Sequence, residues 1–158
     1  MSVEFIITFF VVFVFLVTLL PIIRTIRVKN KIRKLANNVL EVTPKEFFKI
    51  RNSSNGGRGR GHISTKHDFA GVYILYNQTK KMYYIGQGKK LFQRVNSHFT
   101  GHGNGDVYAD YKYGDKFTIK MIALEGSGFS TLNELERNAI RAYNAYSKGY
   151  NKTRGNKG

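Results

Sequence analysis

Gly71-Val72-Tyr73-Ile74-Leu75-Tyr76 and Lys81-Met82-Tyr83-Tyr84-Ile85-Gly86, separated by Asn77-Gln78-Thr79-Lys80, decide how this chain folds. Both runs alternate aromatic and aliphatic residues around a short polar loop, the pattern of a β-hairpin. With Tyr76 and Lys81 closing the loop, Gly71 faces Gly86, Tyr73 faces Tyr84 and Leu75 faces Met82, all on one side of the ribbon. Val72, Ile74, Tyr83 and Ile85 take the other side and can be core. Two adjacent phenols with bare glycines beyond them form a notch that a ligand backbone can approach. On the hairpin alone, the same residues also read as an aromatic pair that only stabilises two strands.

Downstream, a helical pattern follows Gln87-Gly88-Lys89-Lys90. Leu91, Phe92, Val95 and Phe99 form its apolar stripe, while Lys90, Arg94 and His98 recur every four residues on another face. Arg94 offers a planar, permanently charged donor for phosphate oxygens. Lys116 to Leu124 reads as a third strand, and Gly126-Ser127-Gly128 turns the chain. Thr131 and Glu134 form a capping box, opening a helix with Leu132, Leu135, Ala139, Ala142, Tyr143 and Tyr146 as its buried stripe. Glu136 lies on the flank of that stripe, where a carboxylate is costly unless a cation or hydrogen bonds meet it. Asn151 follows within Gly149-Tyr150-Asn151.

Gly71-Val72-Tyr73, Tyr84-Ile85-Gly86, Arg94, His98, Glu136 and Asn151, in that order, resemble the pattern of the GIY-YIG nuclease family over roughly residues 70 to 152. The resemblance implies an α+β fold, a small three-stranded antiparallel sheet flanked by helices, that hydrolyses DNA phosphodiester bonds. It implies Tyr73, Tyr84, Arg94, His98, Glu136 and Asn151 as catalytic residues. Glu136 would be the ligand of one divalent cation, Mg²⁺ or Mn²⁺, and no small-molecule cofactor is implied. In that scheme Tyr73 accepts the proton of the attacking water, Tyr84 orients it or donates to the phosphate, and Arg94 grips the non-bridging oxygens. Which tyrosine is the base stays open, and His98 is a second candidate for proton transfer. Lys89, Lys90, Arg94 and His102 are candidates for nucleic-acid contact.

Thr100-Gly101-His102-Gly103-Asn104-Gly105-Asp106 is glycine-rich, but it follows a helix and is expected to open none, so it is no nucleotide-binding turn. His98 and His102 have a helical spacing that fits a metal pair. The glycines argue against helix there, leaving phosphate contact or exposure as the expectation. With no cysteine, disulfides and thiolate metal sites are excluded.

The net charge of +16 favours polyanions, whether nucleic acid or anionic lipid. Residues 1–4 are a short tail. Phe5 to Ile23 is nearly all Phe, Val, Ile and Leu, and as a helix it would span about 28 Å, close to a bilayer's hydrocarbon thickness. Arg24, Arg27, Lys29, Lys31, Arg33 and Lys34 follow it rather than precede it, which fits an uncleaved single-pass anchor with the carboxyl-terminal side cytoplasmic. Residues 24–51 form a basic juxtamembrane segment able to lie along a lipid surface. Within it Thr43-Pro44-Lys45-Glu46 resembles a helix start, with Phe47, Phe48 and Ile50 docking on the domain or the membrane.

Residues 52–69 read as a flexible Gly/Arg linker in which Arg58, Arg60, His62 and His67 are solvated. Residues 153–158 are a basic, frayed tail. No sequence-reading module follows residue 152, so specificity is expected to be weak and phosphate contacts to supply most of the affinity. The rival readings are a non-catalytic membrane-tethered DNA binder and a nuclease domain outside the cell. DNA against RNA, strandedness and oligomeric state stay open.

Overall fold

A computed structural model describes residues 3–53 and 68–156. Strands β1 (Gly71–Asn77), β2 (Met82–Gly88) and β3 (Phe117–Ala123) form one antiparallel sheet in the order β2-β1-β3, leaving β2 at an edge. The expected sheet is therefore present, but the hairpin register is not the expected one. Tyr73 faces Gly86, Leu75 faces Tyr84, and Asn77 faces Met82. The cause is Asn77, whose side-chain oxygen accepts the Thr79 and Lys80 amides at 2.9 and 3.0 Å and starts the turn itself. Pairing thus extends to Asn77 and Met82, with Lys81 at φ 58° inside the turn. Every partner moves by two residues, so each side chain keeps its face.

Both faces are core. Val72, Ile74, Ile85 and Ile122 pack against Leu135, Ala139 and Ile140 of a late helix, α5 (Leu132–Ala142). Tyr73, Leu75 and Ile119 pack against Leu91, Val95 and Phe99 of α3 (Leu91–Phe99). α3 backs the sheet beneath Tyr73, and the expected notch stays open at Tyr73, Tyr84, Gly86 and Gly88, which line a cleft. α5 starts at Thr131, whose hydroxyl accepts the Glu134 amide at 3.1 Å, while the Glu134 carboxylate turns to the Ser130 amide. The capping box is half formed. Leu135, Glu136, Ala139, Ile140 and Ala142 are the buried residues, and Tyr146 is exposed because the helix stops at Ala142.

The second half of α1 (Val3–Asn37) and all of α2 (Pro44–Asn52) belong to the same packed body. α1 is one unbroken helix, long and apolar enough to cross a membrane over its first part. Its basic continuation packs on α5, with Ile32 and Ala36 fully buried. Val42 then pairs with Ile119 at the outer edge of β3. α2 opens with a complete capping box between Thr43 and Glu46, and its Phe47 stacks on Phe92 at 5.8 Å. The expected docking of Phe47, Phe48 and Ile50 is thus onto the domain. Arg58, Arg60, His62 and His67 lie outside the described residues.

The glycine-rich loop does open a helix, contrary to expectation. The Asn104 side chain accepts the Val107 amide at 3.0 Å and caps α4 (Gly105–Lys112), with Asp106 favourably placed in the first turn. The tail up to Asn156 is also laid down on the domain: an Arg137 guanidinium N–H donates to the Asn156 carbonyl at 3.3 Å.

Candidate active site

Tyr73, Tyr84, Arg94 and Glu136 line one open cleft of about 580 Å³ along the outer edge of β2. Tyr73 comes from the central strand and Tyr84 from the edge strand, their ring centroids 6.1 Å apart. Arg94 enters from α3 on one side of the sheet and Glu136 from α5 on the other. The cleft is where the two layers meet around an edge strand.

Glycine sets the approach of the first two groups. A Cβ on Gly86 would lie 2.1 Å from the Tyr73 hydroxyl oxygen, so the phenol reaches the cleft only because its cross-strand partner has no side chain. A Cβ on Gly88 would lie 2.6 Å from Arg94 Cγ, so the arginine stem crosses bare backbone on its way in. α3 is itself capped by Asp68, whose carboxylate accepts the Phe92 amide at 2.9 Å and the Gln93 amide at 3.3 Å. Lys90 occupies the cap position without capping, and Lys89 and Lys90 are exposed at the cleft.

His98 is not on a solvated stripe. It is 1 % exposed, because the loop after α3 folds back over it. A Cβ on Gly103 would lie 2.4 Å from His98 Nδ1, and Nδ1 accepts the Asn104 amide at 2.8 Å. A neutral ring with Nδ1 as acceptor carries its hydrogen on Nε2. Nε2 lies 2.7 Å from the Tyr73 hydroxyl oxygen and therefore donates to it. Burial, aided by the Arg94 charge, pushes the imidazole pKa down to about 4, so the ring is neutral near pH 7. Burial and the neighbouring Tyr84 push the Tyr73 phenol upward, and Arg94 opposes them. Among the described residues no cluster of three His, Cys, Asp or Glu forms, and His102 is exposed outside the cleft.

Glu136 is 9 % exposed, and burial raises its pKa above the usual 4.5 against hydrogen bonds from Gln87. Gln87 Nε2 donates to its carboxylate at 3.0 Å and to Asn133 Oδ1 at 2.6 Å. Among the described residues no cation lies within ion-pair distance of it. Asn151 stands behind β2: its Nδ2 donates to the Ile85 carbonyl at 2.7 Å, and its Oδ1 accepts the Ile85 amide at 2.9 Å. Gln87, Asn133 and Asp68 are the site residues that sequence reasoning missed. The only local signal was Gln87, on the same strand face as Ile85 and so aimed at α5.

The GIY-YIG catalytic domain model matches residues 69–151, and the chain belongs to the GIY-YIG family. Among solved structures it is similar to the catalytic domain of the intron endonuclease I-TevI, in a point-mutant form. The identity is 22 % and the TM-score 0.43, over 56 % of this chain and 98 % of that one. No curated protein matches the chain. The family's catalytic domain implies DNA endonuclease activity here.

Proposed function

We propose that the chain is a membrane-anchored, divalent-metal-dependent endonuclease that hydrolyses DNA with low sequence specificity. The observation that carries this reading is the single cleft holding two phenols, a guanidinium and a shielded carboxylate.

A divalent cation fits Glu136. The carboxylate is shielded from water, faces the cleft and has only neutral hydrogen-bond partners. With one carboxylate on offer, water and phosphate oxygens would complete the shell, as Mg²⁺ or Mn²⁺ tolerates. When bound, the ion supplies positive charge to the phosphoryl oxygens and makes water more acidic.

Tyr73 takes the proton of the attacking water. The His98 N–H directed at its oxygen, and the nearby Arg94, favour the phenolate that burial disfavours. Tyr84, half-buried beside it, orients the water or donates to the phosphate. Arg94 holds the non-bridging oxygens as charge builds on them. The water oxygen bonds to phosphorus, the bond to the 3′ oxygen breaks, and that oxygen leaves with a proton from solvent. Lys89 and Lys90 meet neighbouring phosphates, with His102 extending the basic surface. Such contacts position a duplex without reading its bases, which keeps specificity low.

The apolar part of α1 anchors the chain, and the basic residues after it hold the nuclease domain on the cytoplasmic side. Location then selects the substrate: DNA near or crossing the membrane, such as invading phage or plasmid DNA. The test separates cutting from holding. In Glu136→Ala, plasmid cleavage disappears while DNA still shifts in a native gel. A variant that cuts as well as wild type ends the catalytic reading. Protease added to intact cells leaves a cytoplasmic domain whole and degrades an external one.

A further inference from the structure

A second basic cavity lies away from the catalytic cleft and shares no residue with it. It holds about 270 Å³ between α1 and α5 and is lined by Arg24 and Lys29 from the first helix and Arg137, Asn138 and Arg141 from the second. Glu134 is its one acid, and its carboxylate already accepts the Ser130 amide. Among the described residues none of the four cations is in an ion pair. Arg137 and Arg141 are one helical turn apart, a like-charge spacing that weakens a helix when nothing sits between the charges. Four cations without ion pairs around a partly open volume, Arg137 giving one N–H to the Asn156 carbonyl, form a site for an anion. Guanidinium forks favour a phosphate, since they can bind it through two hydrogen bonds each.

Position decides whose phosphate it is. Arg24 directly follows the apolar run that ends at Ile23. At 1.5 Å per residue, Lys29 lies about 7.5 Å further along the helix, at the outer border of a headgroup layer roughly 5–7.5 Å deep. We propose that this cavity binds the phosphate headgroup of an anionic phospholipid, clamped between the anchor helix and the helix that carries Glu136. The inference rests on the membrane-anchored reading above. A bound headgroup would fix how the catalytic helix sits against the bilayer, so the cleft is presented at a set height above the surface.

The test uses the full chain in neutral-detergent micelles without divalent metal, titrated with dihexanoyl phosphatidic acid and followed by thermal melting. The lipid raises the melting temperature, and dihexanoyl phosphatidylcholine does not. The double variant Lys29→Gln/Arg141→Gln binds at least about tenfold more weakly. The control Arg27→Gln/Lys34→Gln, which removes the same charge from exposed positions outside the cavity, binds like wild type. Each substitution is also made singly, so that one misfolded variant does not decide the outcome.

Equal weakening in both double variants overturns the pocket in favour of diffuse attraction. Inorganic phosphate matching the lipid's affinity overturns the lipid assignment, as does a short DNA duplex whose binding needs Lys29 and Arg141. A carbonate wash of membranes reports the anchor separately. Release of the chain removes the anchor and the proposal together, whereas retention with an unselective titration removes the pocket alone.

Discussion

The side chain of Asn151 completes the edge of the sheet at Ile85, donating to its carbonyl at 2.7 Å and accepting its amide at 2.9 Å. Just before it, the Tyr150 amide donates to the Tyr83 carbonyl at 2.9 Å. A Cβ on Gly149 would stand 2.3 Å from that carbonyl. Gly149-Tyr150-Asn151 thus covers a strand edge that would otherwise expose unpaired groups next to Tyr84. Asn151→Asp turns the donor into an acceptor facing a carbonyl and should cost about 2–3 kcal/mol. Urea unfolding of the full chain in detergent measures it, and a loss below about 0.5 kcal/mol would show that this pairing does not hold the strand.

Gly86 is needed for the position of the Tyr73 phenol. Gly86→Ala puts a methyl where the hydroxyl oxygen now lies, so the ring must leave the cleft. Stability should drop by roughly 1–3 kcal/mol, the usual cost of overpacking, and cleavage should drop with it. A folded Gly86→Ala enzyme cutting at the wild-type rate would mean that the place of Tyr73 is immaterial.

His98 gives stability a pH signature. Its folded pKa is pushed down to about 4 from 6.5, so the unfolded chain takes up a proton at higher pH than the folded one. The contribution is fully present above pH 6.5 and is lost as acidity increases toward pH 4, by up to about 3 kcal/mol. Melting temperatures across that window should fall for wild type and fall less steeply for His98→Gln. Parallel slopes would place the proton uptake elsewhere.

Glu136 carries a desolvation cost. Its pKa is raised by burial, so Glu136→Gln removes a desolvation cost while keeping the shape and a hydrogen-bonding group. Without metal, Glu136→Gln should be as stable as wild type or more so, by up to about 1 kcal/mol, and inactive. Melting and plasmid cleavage on one preparation check both halves; a destabilised variant would mean that the carboxylate is structural.

The sequence announced strands better than contacts. Alternation in Val72–Tyr76 and Met82–Ile85 marked the hairpin and its faces, but the register turned on the Asn77 side chain, which alternation does not encode. Periodicity placed His98 on a polar stripe because it cannot register the loop that closes over the end of α3. α4 was hidden by glycines, although Asn104 followed by Asp106 is a start signal. Gln87 and Asp68 act across 49 and 24 residues of chain, beyond any local pattern. The helix carrying Glu136 was legible from its apolar spacing. That its carboxylate meets Tyr73 at one cleft came from the family pattern, since spacing alone gives no distance between α5 and β1.

The most direct measurement is the initial rate at which the full chain in detergent nicks or linearises supercoiled plasmid, with Mg²⁺ or with chelator, wild type beside Arg94→Ala. The account predicts cutting with Mg²⁺, none with chelator, and a loss of about 10²–10³-fold in Arg94→Ala, near the 2.7–4 kcal/mol lost with other preorganised donors. Plasmid left intact by wild type under every divalent ion supplied, or an Arg94→Ala rate equal to wild type, would contradict it.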